Sequence, residues 1–316
     1  MRIVFMGTPE FAVPSFNALV EHGYEVVAAF TQPDRPSGRG NKLTACPVKV
    51  EALKCGVPVY QFEKIRRKEG REVLEALKPD LFVTAAFGQI LSQRLLDIPP
   101  LGTVNVHASL LPKYRGAAPI NWCIAMGEKV AGVTTMFTDA GVDTGDMALR
   151  VETPIGELET AGELTVRLAE MGAELLIETL RQLEAGTCPR TPQDEALSTH
   201  EPMLSREDGL IDWNMSAEEI ACRVRGFNPW PGTYTYMPDG GVMKLWLARA
   251  VEGRGGQAGE VIESSAKKGL LIACGTGALE VVEMQAPGAK RMNAKAYLMG
   301  KNIPVGTIFS RERTKA

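Results

Sequence analysis

Short apolar runs alternate with amphipathic stretches through the first half of the chain. RIVFM (2–6), EVVAAFTQ (25–32), GVPVY (56–60), DLFVTAAFG (80–88) and GTVNVHA (102–108) show little polar alternation, the pattern of strands covered on both faces. Between them, FAVPSFNALVEHG (11–23) and EVLEALKP (72–79) space their apolar residues as helices do and stop at glycine and proline. Strands alternating with helices predict right-handed crossovers and an α/β fold, a doubly wound, mainly parallel sheet. VAGVTTMFT (130–138) and DMALRVETPI (146–155) add two strands. Residues 162–185 read as a long amphipathic helix, with Leu164, Leu168, Met171, Leu175 and Leu183 near one face and Gly186 as its cap.

The pattern then changes. Residues 187–205 have no periodicity and are rich in Pro, Thr and Ser, which predicts a linker. SAEEIACRV (216–224) follows as a helix, with Ser216 and Glu219 spaced as a capping box. GTYTYM, VMKLWLARAV, GEVIES, GLLIAC and ALEVVEM are short strands between glycine-rich turns, the signature of a small β-barrel. The domain reading is therefore 1–188, a linker at 189–206, and 207–316.

Composition narrows the classes. With 316 residues, 45% hydrophobic and 23% charged, the chain can build two cores. A net charge of −3 excludes a surface that coats nucleic acid indiscriminately, so any such contact must be local. The six cysteines form no C-x-x-C and no zinc spacing, and read as reduced, packed thiols of a cytoplasmic protein. The opening MRIVFMG reads as a buried strand and not as a targeting segment, and no apolar run approaches the ~20 residues of a membrane span. MGTPEF (6–11) lacks G-x-G-x-x-G and has Pro9 in the turn, which speaks against a nicotinamide site.

Candidate chemistry concentrates in NVHASLLPKYRGAAP (105–119). Asn105 and His107 are two apart on a strand and so share a face, at the carboxyl end where open α/β sheets bind ligands. GVDTGD (141–146) places Asp143 in a glycine-bounded loop after another strand. A neutral donor, a proton carrier and a carboxylate suit a tetrahedral oxyanion formed by attack on a carbonyl. Pattern alone leaves a second reading open, a structural histidine with polar neighbours.

The run N-V-H-A-S-L-L-P-K-Y-R-G-A-A-P-I with downstream G-V-D-T-G-D closely resembles the 10-formyltetrahydrofolate-dependent formyltransferases. The resemblance implies Asn105, His107 and Asp143 as the catalytic set. It implies a folate site along Ser109, Leu110, Leu111 and Pro112, with Asp139 and Gly141 beside it. AAFGQIL (85–91) resembles the family's pterin-contacting loop, which brings in Phe87, Gly88, Gln89, Ile90 and Leu91 through backbone groups. The formyl donor would be a co-substrate, 10-formyltetrahydrofolate, with no metal required.

Which acceptor is used turns on TQPDRPSGRGNKLTACPVK (31–49). On physics alone this is a flexible basic loop with Arg35, Arg39, Lys42 and Lys49, at the carboxyl edge of a strand. T-Q-P-D-R-P-x-G-R-G-x-K-L resembles the loop with which the tRNA-acting branch of the family meets its substrate, Arg39 matching the loop's most important arginine. Thr44-Ala45 stands where that branch more often has a proline. RVRGFNPWPGTYT (223–235) resembles the start of the branch's OB-like C-terminal domain and implies tRNA contacts for Arg223 and Arg225. The expectation is a monomer that formylates initiator methionyl-tRNA, without a membrane. The alternatives are a sugar-nucleotide N-formyltransferase, against which the basic loop speaks, and a tRNA-binding protein with a retired active site.

Overall fold

The computed structural model describes residues 1–37, 42–253 and 255–313. The chain folds into two compact units. One comprises 1–116, 132–153 and 165–200; the other comprises 117–131, 154–164 and 201–316.

The first unit is a seven-stranded sheet in the order Met147–Pro154, Val130–Phe137, Thr103–His107, Leu81–Ala85, Arg2–Gly7, Glu25–Thr31, Val59–Gln61. The five strands from Thr103–His107 to Val59–Gln61 are parallel, as their apolar runs predict. Val130–Phe137 runs antiparallel to Thr103–His107, so one edge of the sheet turns back on itself. Pleating divides the core: Val4 and Met6 pack with Phe30, Leu74, Phe82 and Leu95, while Phe5 meets Phe16 edge-on at 5.5 Å across the other face. Gly7 ends the first strand because the chain turns tightly there. A Cβ would stand 2.8 Å from Ala12 Cβ and 2.9 Å from the Ala85 oxygen. That approach, and not a dinucleotide turn, accounts for this glycine.

The helix Ala161–Glu184 agrees with its sequence pattern, and Gly186 follows it at φ 69°. The described residues of the 31–49 stretch, 31–37 and 42–49, hold regular structure that the sequence does not suggest. Arg35–Ser37 pairs antiparallel with Lys42–Thr44, and a helix begins at Pro47, where proline fits the first turn. Helices at Gln93–Leu96, Pro119–Ala125 and Ala294–Gly300 were not legible in the sequence pattern.

In the second unit the antiparallel strands run Thr233–Tyr236, Val242–Val251, Ala278–Gln285, Gly269–Ala273, Val261–Ser265. Residues 306–310 bond to both edges, Ser310 to Tyr236 (2.9 and 3.0 Å) and Thr307 to Val261 (2.8 Å). Both edges thereby gain partners and the sheet closes toward an OB-like barrel. Its core holds Trp213, Ile220, Val224, Leu245, Val281 and Phe309. The helix Ala217–Gly226 starts in a complete capping box: Ser216 Oγ accepts from Glu219 N–H, and the Glu219 carboxylate accepts from Ser216 N–H (2.9 Å). Trp122 packs edge-on against Phe227 at 5.6 Å, and Asn121 donates to the Gly226 oxygen (2.7 Å). These contacts make the helix Pro119–Ala125 part of this unit.

Candidate active site

The strand Thr103–His107 carries Asn105 and His107 on one face, and Val106 between them points the other way. The helix Ala161–Glu184 comes close on the Val106 side. A Cβ at Gly172 would stand 2.9 Å from Val106 Cγ1. The packing fixes the strand and, through it, the direction of the two polar side chains.

Asn105 accepts a hydrogen bond from the Thr84 hydroxyl at Oδ1 (2.8 Å). That orientation leaves the two Nδ2 protons for a ligand. His107 is buried, and its Nε2 lies 3.0 Å from the backbone oxygen of Tyr114. A carbonyl only accepts, so this contact places a proton on Nε2 and turns Nδ1 to the other side of the ring. There Nδ1 stands 3.7 Å from Asp143 Oδ1, and the Asp143 side chain is 19% exposed against 7% for the histidine. Asp143 Oδ2 accepts from Gly116 N–H (2.9 Å). Asp143 itself has φ 56°, in the left-handed region.

The structure thus brings His107 and Asp143 together. Residues 114–116 hold both: the Tyr114 oxygen takes the ring and the Gly116 amide takes the carboxylate. Thr84, Tyr114 and Gly116 escape sequence reading, since two of the three act through their backbone. Behind them lies Arg115, 6% exposed, with a two-pronged pair to Glu195 (2.9 and 2.7 Å). Hydrogen bonding to Glu195 is the main cause that raises the Arg115 pKa; the Asp139 and Asp143 charges add to it, while burial opposes.

The residues expected to contact the pterin differ in placement. Phe87 and Leu91 are buried, whereas Ile90 is 65% exposed. The carbonyls of Phe87 and Gly88 accept from Gln32 Nε2 (3.2 and 2.8 Å), and Gly88 has φ 77°. The Gln89 side chain is committed to the Phe62 oxygen (2.7 Å) and the Ile65 amide (2.8 Å), which ties the loop down. Ser109 Oγ donates to the Lys113 oxygen (2.7 Å), and Leu111 N–H donates to Thr134 Oγ1 (3.2 Å). Ser109 and Leu111 are buried, and Leu110 and Pro112 are partly so. Asp139 Oδ1 closes its own turn, accepting from Gly141 N–H (3.0 Å) and Thr144 Oγ1 (2.7 Å).

Of the basic candidates, Arg35 is exposed and paired with Glu63 (2.6 Å). Arg39 lies outside the described residues, as does the Lys42 side chain. Lys49 sits at the base of the loop, paired with Asp34 (2.5 Å) and bonded to Gln61 (2.9 Å). The Lys49 hydrogen bond, with Gln61 second, holds the Asp34 carboxyl below its usual range. Arg223 is half-buried, its guanidinium 6.0 Å from the Phe227 ring centre. Arg225 corrects the sequence reading: it is buried, and it donates to the oxygens of Glu159 (3.2 Å) and Gly156 (3.4 Å). Its charge serves the fold, because the helix turns it inward beside Val224 and Gly226.

Among the described residues, no three His, Cys, Asp or Glu side chains are grouped to hold a metal ion, and all six cysteines are free. No helix among them is long and apolar enough to cross a membrane.

Residues 1–180 match the Formyl transferase family model, and residues 203–302 match Formyl transferase, C-terminal domain. A methionyl-tRNA formyltransferase of Ruminiclostridium cellulolyticum is 50% identical over 309 residues, covering 97% of this chain and 98% of the relative. One of Citrifermentans bemidjiense is 49% identical over 312 residues, covering 99% and 97%. Among solved structures, an N-formyltransferase of Helicobacter canadensis, in complex with folinic acid and dTDP-3-aminofucose, shares the fold at TM-score 0.64. It is 18% identical, covering 88% of this chain and 98% of that one. HypX of Aquifex aeolicus with tetrahydrofolic acid aligns at TM-score 0.62 and 20% identity, covering 95% of this chain and 47% of that one.

Proposed function

The chain belongs to the methionyl-tRNA formyltransferase family, and from that premise we propose that it moves the formyl group of 10-formyltetrahydrofolate to the α-amino group of methionine on initiator tRNA, with Asn105, His107 and Asp143 as its catalytic residues. The observation that carries the site assignment is the pairing of a buried His107 with Asp143 at the carboxyl end of a sheet strand. Sheet ends of this kind gather side chains from separate loops around one reacting centre.

An α-amino group titrates at about 8, and the ester that joins methionine to tRNA lowers that, so a neutral amine is available near neutral pH. It attacks the formyl carbon. The carbonyl oxygen becomes an oxyanion, and the free Nδ2 protons of Asn105 are the neutral donors that receive it. His107 Nδ1 lies on the Asp143 side of the ring, away from the Tyr114 oxygen, and orients the reacting group beside that carboxylate. The attacking nitrogen loses a proton with Asp143 assisting, the oxyanion collapses to the amide carbonyl as the bond from that carbon to the folate nitrogen breaks, and the folate nitrogen takes up a proton as it leaves. The apolar Leu110, Leu111 and Pro112 and the loop from Phe87 to Leu91 line the donor's binding site. The basic stretch around Arg35, Arg39 and Lys42 meets the phosphates at the tRNA acceptor end, and Arg223 extends the contact. Translation initiation places the enzyme in the cytoplasm, where a monomer suffices.

Single-turnover transfer from 10-formyltetrahydrofolate, offered in parallel to methionyl initiator tRNA and to a UDP-amino-sugar, tests the proposal. Formylation of the tRNA alone supports it. Formylation of the sugar alone keeps the trio and overturns the acceptor. Formylation of neither overturns the activity.

A further inference from the structure

The stretch that reads as a linker is anchored at two places beside the site, at the strand that follows the Asp143 loop and at residues 114–115. Thr191 exchanges two backbone hydrogen bonds with Met147 (2.9 Å each). Eight residues on, Thr199 accepts at its oxygen from Arg115 N–H (2.9 Å) and at its hydroxyl from Tyr114 N–H (2.8 Å). Between these anchors lies Gln193. Its Nε2 lies 2.8 Å from the oxygen of Asp143 and 2.8 Å from that of Gly145. An amide nitrogen has two protons, so both are spent on the Asp143 loop. Gln193 Oε1 accepts from Arg115 Nε (3.0 Å), and the two Nη atoms of Arg115 are held by Glu195.

Asp143 needs such a hold. A non-glycine residue with φ 56° sits in a sparsely populated region and is held there by its surroundings. The Gly116 amide fixes the carboxylate, and Gln193 fixes the backbone beneath it. Loss of either leaves the residue free to relax, and relaxation of the backbone moves the carboxylate relative to His107 Nδ1.

We infer that Gln193, locked by the Arg115–Glu195 pair, is a positioning residue that sets the Asp143 carboxylate for formyl transfer. The inference rests on the reading of Asp143 as catalytic. It assigns a role in turnover to a segment whose composition marks it as a connection.

Gln193→Met keeps the length of the side chain and removes both donors. Single-turnover transfer to methionyl initiator tRNA should slow on the order of tenfold to a hundredfold, the scale of a misplaced catalytic group. Affinities for 10-formyltetrahydrofolate and for tRNA should not change. In an Asp143→Ala background the same substitution should cost nothing further, because the group it positions is gone. A wild-type rate for Gln193→Met would overturn the inference, and so would an equal loss in both backgrounds, which marks a structural role. Wild-type activity for Asp143→Ala alone would instead overturn the catalytic reading beneath it. If Gln193→Met melts too low to assay, Glu195→Gln makes the same test. It leaves a buried Arg115 with a neutral partner and should show a smaller loss of the same kind, again absent with Asp143→Ala.

Discussion

His107 Nδ1 stands 3.7 Å from Asp143 Oδ1, beyond hydrogen-bond reach, while Nε2 is engaged by the Tyr114 oxygen at 3.0 Å. The engaged nitrogen sets the ring plane. At 3.7 Å the other nitrogen and the carboxylate touch without a direct hydrogen bond, and in the proposed reaction the oxyanion or the attacking amine lies to the side of both.

That geometry depends on the path of the Asp143 loop. Gly145 is buried, and a Cβ there would run into the Phe137 backbone oxygen. Gly145→Ala must therefore shift backbone two residues from Asp143. Turnover should fall by on the order of a hundredfold, as a misplacement of about 1 Å does. Single-turnover transfer measures it, and an unchanged rate would mean that the loop adapts without moving the carboxylate.

The basic loop should act on tRNA alone. Arg39→Ala should raise the KM for tRNA and leave folate affinity unchanged. A lost phosphate contact should also flatten the plot of log Kd against log salt by about one unit of slope. In the wild type, added salt should weaken tRNA binding steeply and folate binding little. Equal responses of the two ligands would contradict phosphate contact.

The capping box predicts a local stability effect. Ser216→Ala should cost about 1 kcal/mol in the second unit. All four tryptophans, at 122, 213, 230 and 246, belong to that unit, so tryptophan fluorescence follows its unfolding selectively. Bonds from the Ser216 hydroxyl and backbone hold the Glu219 carboxyl below its usual value of 4.5. A folded-state value below the unfolded one stabilises at pH above about 4.5 and is lost as pH falls through the lowered value. Glu219→Gln should therefore destabilise at neutral pH, by a margin that narrows in acid. A margin that does not narrow would contradict the charged form of the box.

The capping box was legible from Ser216 and Glu219 because it depends on spacing within one helix. The parallel strands were legible for the same local reason, as apolar runs between helical patterns. Asn105 and His107 were legible through the two-residue period of a strand, and Asp143 through its glycine-bounded loop. Less local features were not. The reversal of Val130–Phe137 leaves its apolar pattern unchanged, so direction cannot be read from it. Arg225 reads in the sequence like Arg223, and only the helix that turns it toward Gly156 and Glu159 sets the two apart. Gln193 gives no periodic signal, because its partners lie about 50 and 80 residues away.

Single-turnover formyl transfer by Asp143→Asn, with tRNA binding measured on the same preparation, tests the central claim most directly. The substitution keeps the shape of the side chain and removes its charge. The rate to methionyl initiator tRNA should fall by on the order of 10² to 10⁴, the scale of a lost general acid–base group, while tRNA affinity holds. A rate near that of the wild type, or a rate lost only in proportion to tRNA affinity, would contradict the catalytic pairing of His107 with Asp143.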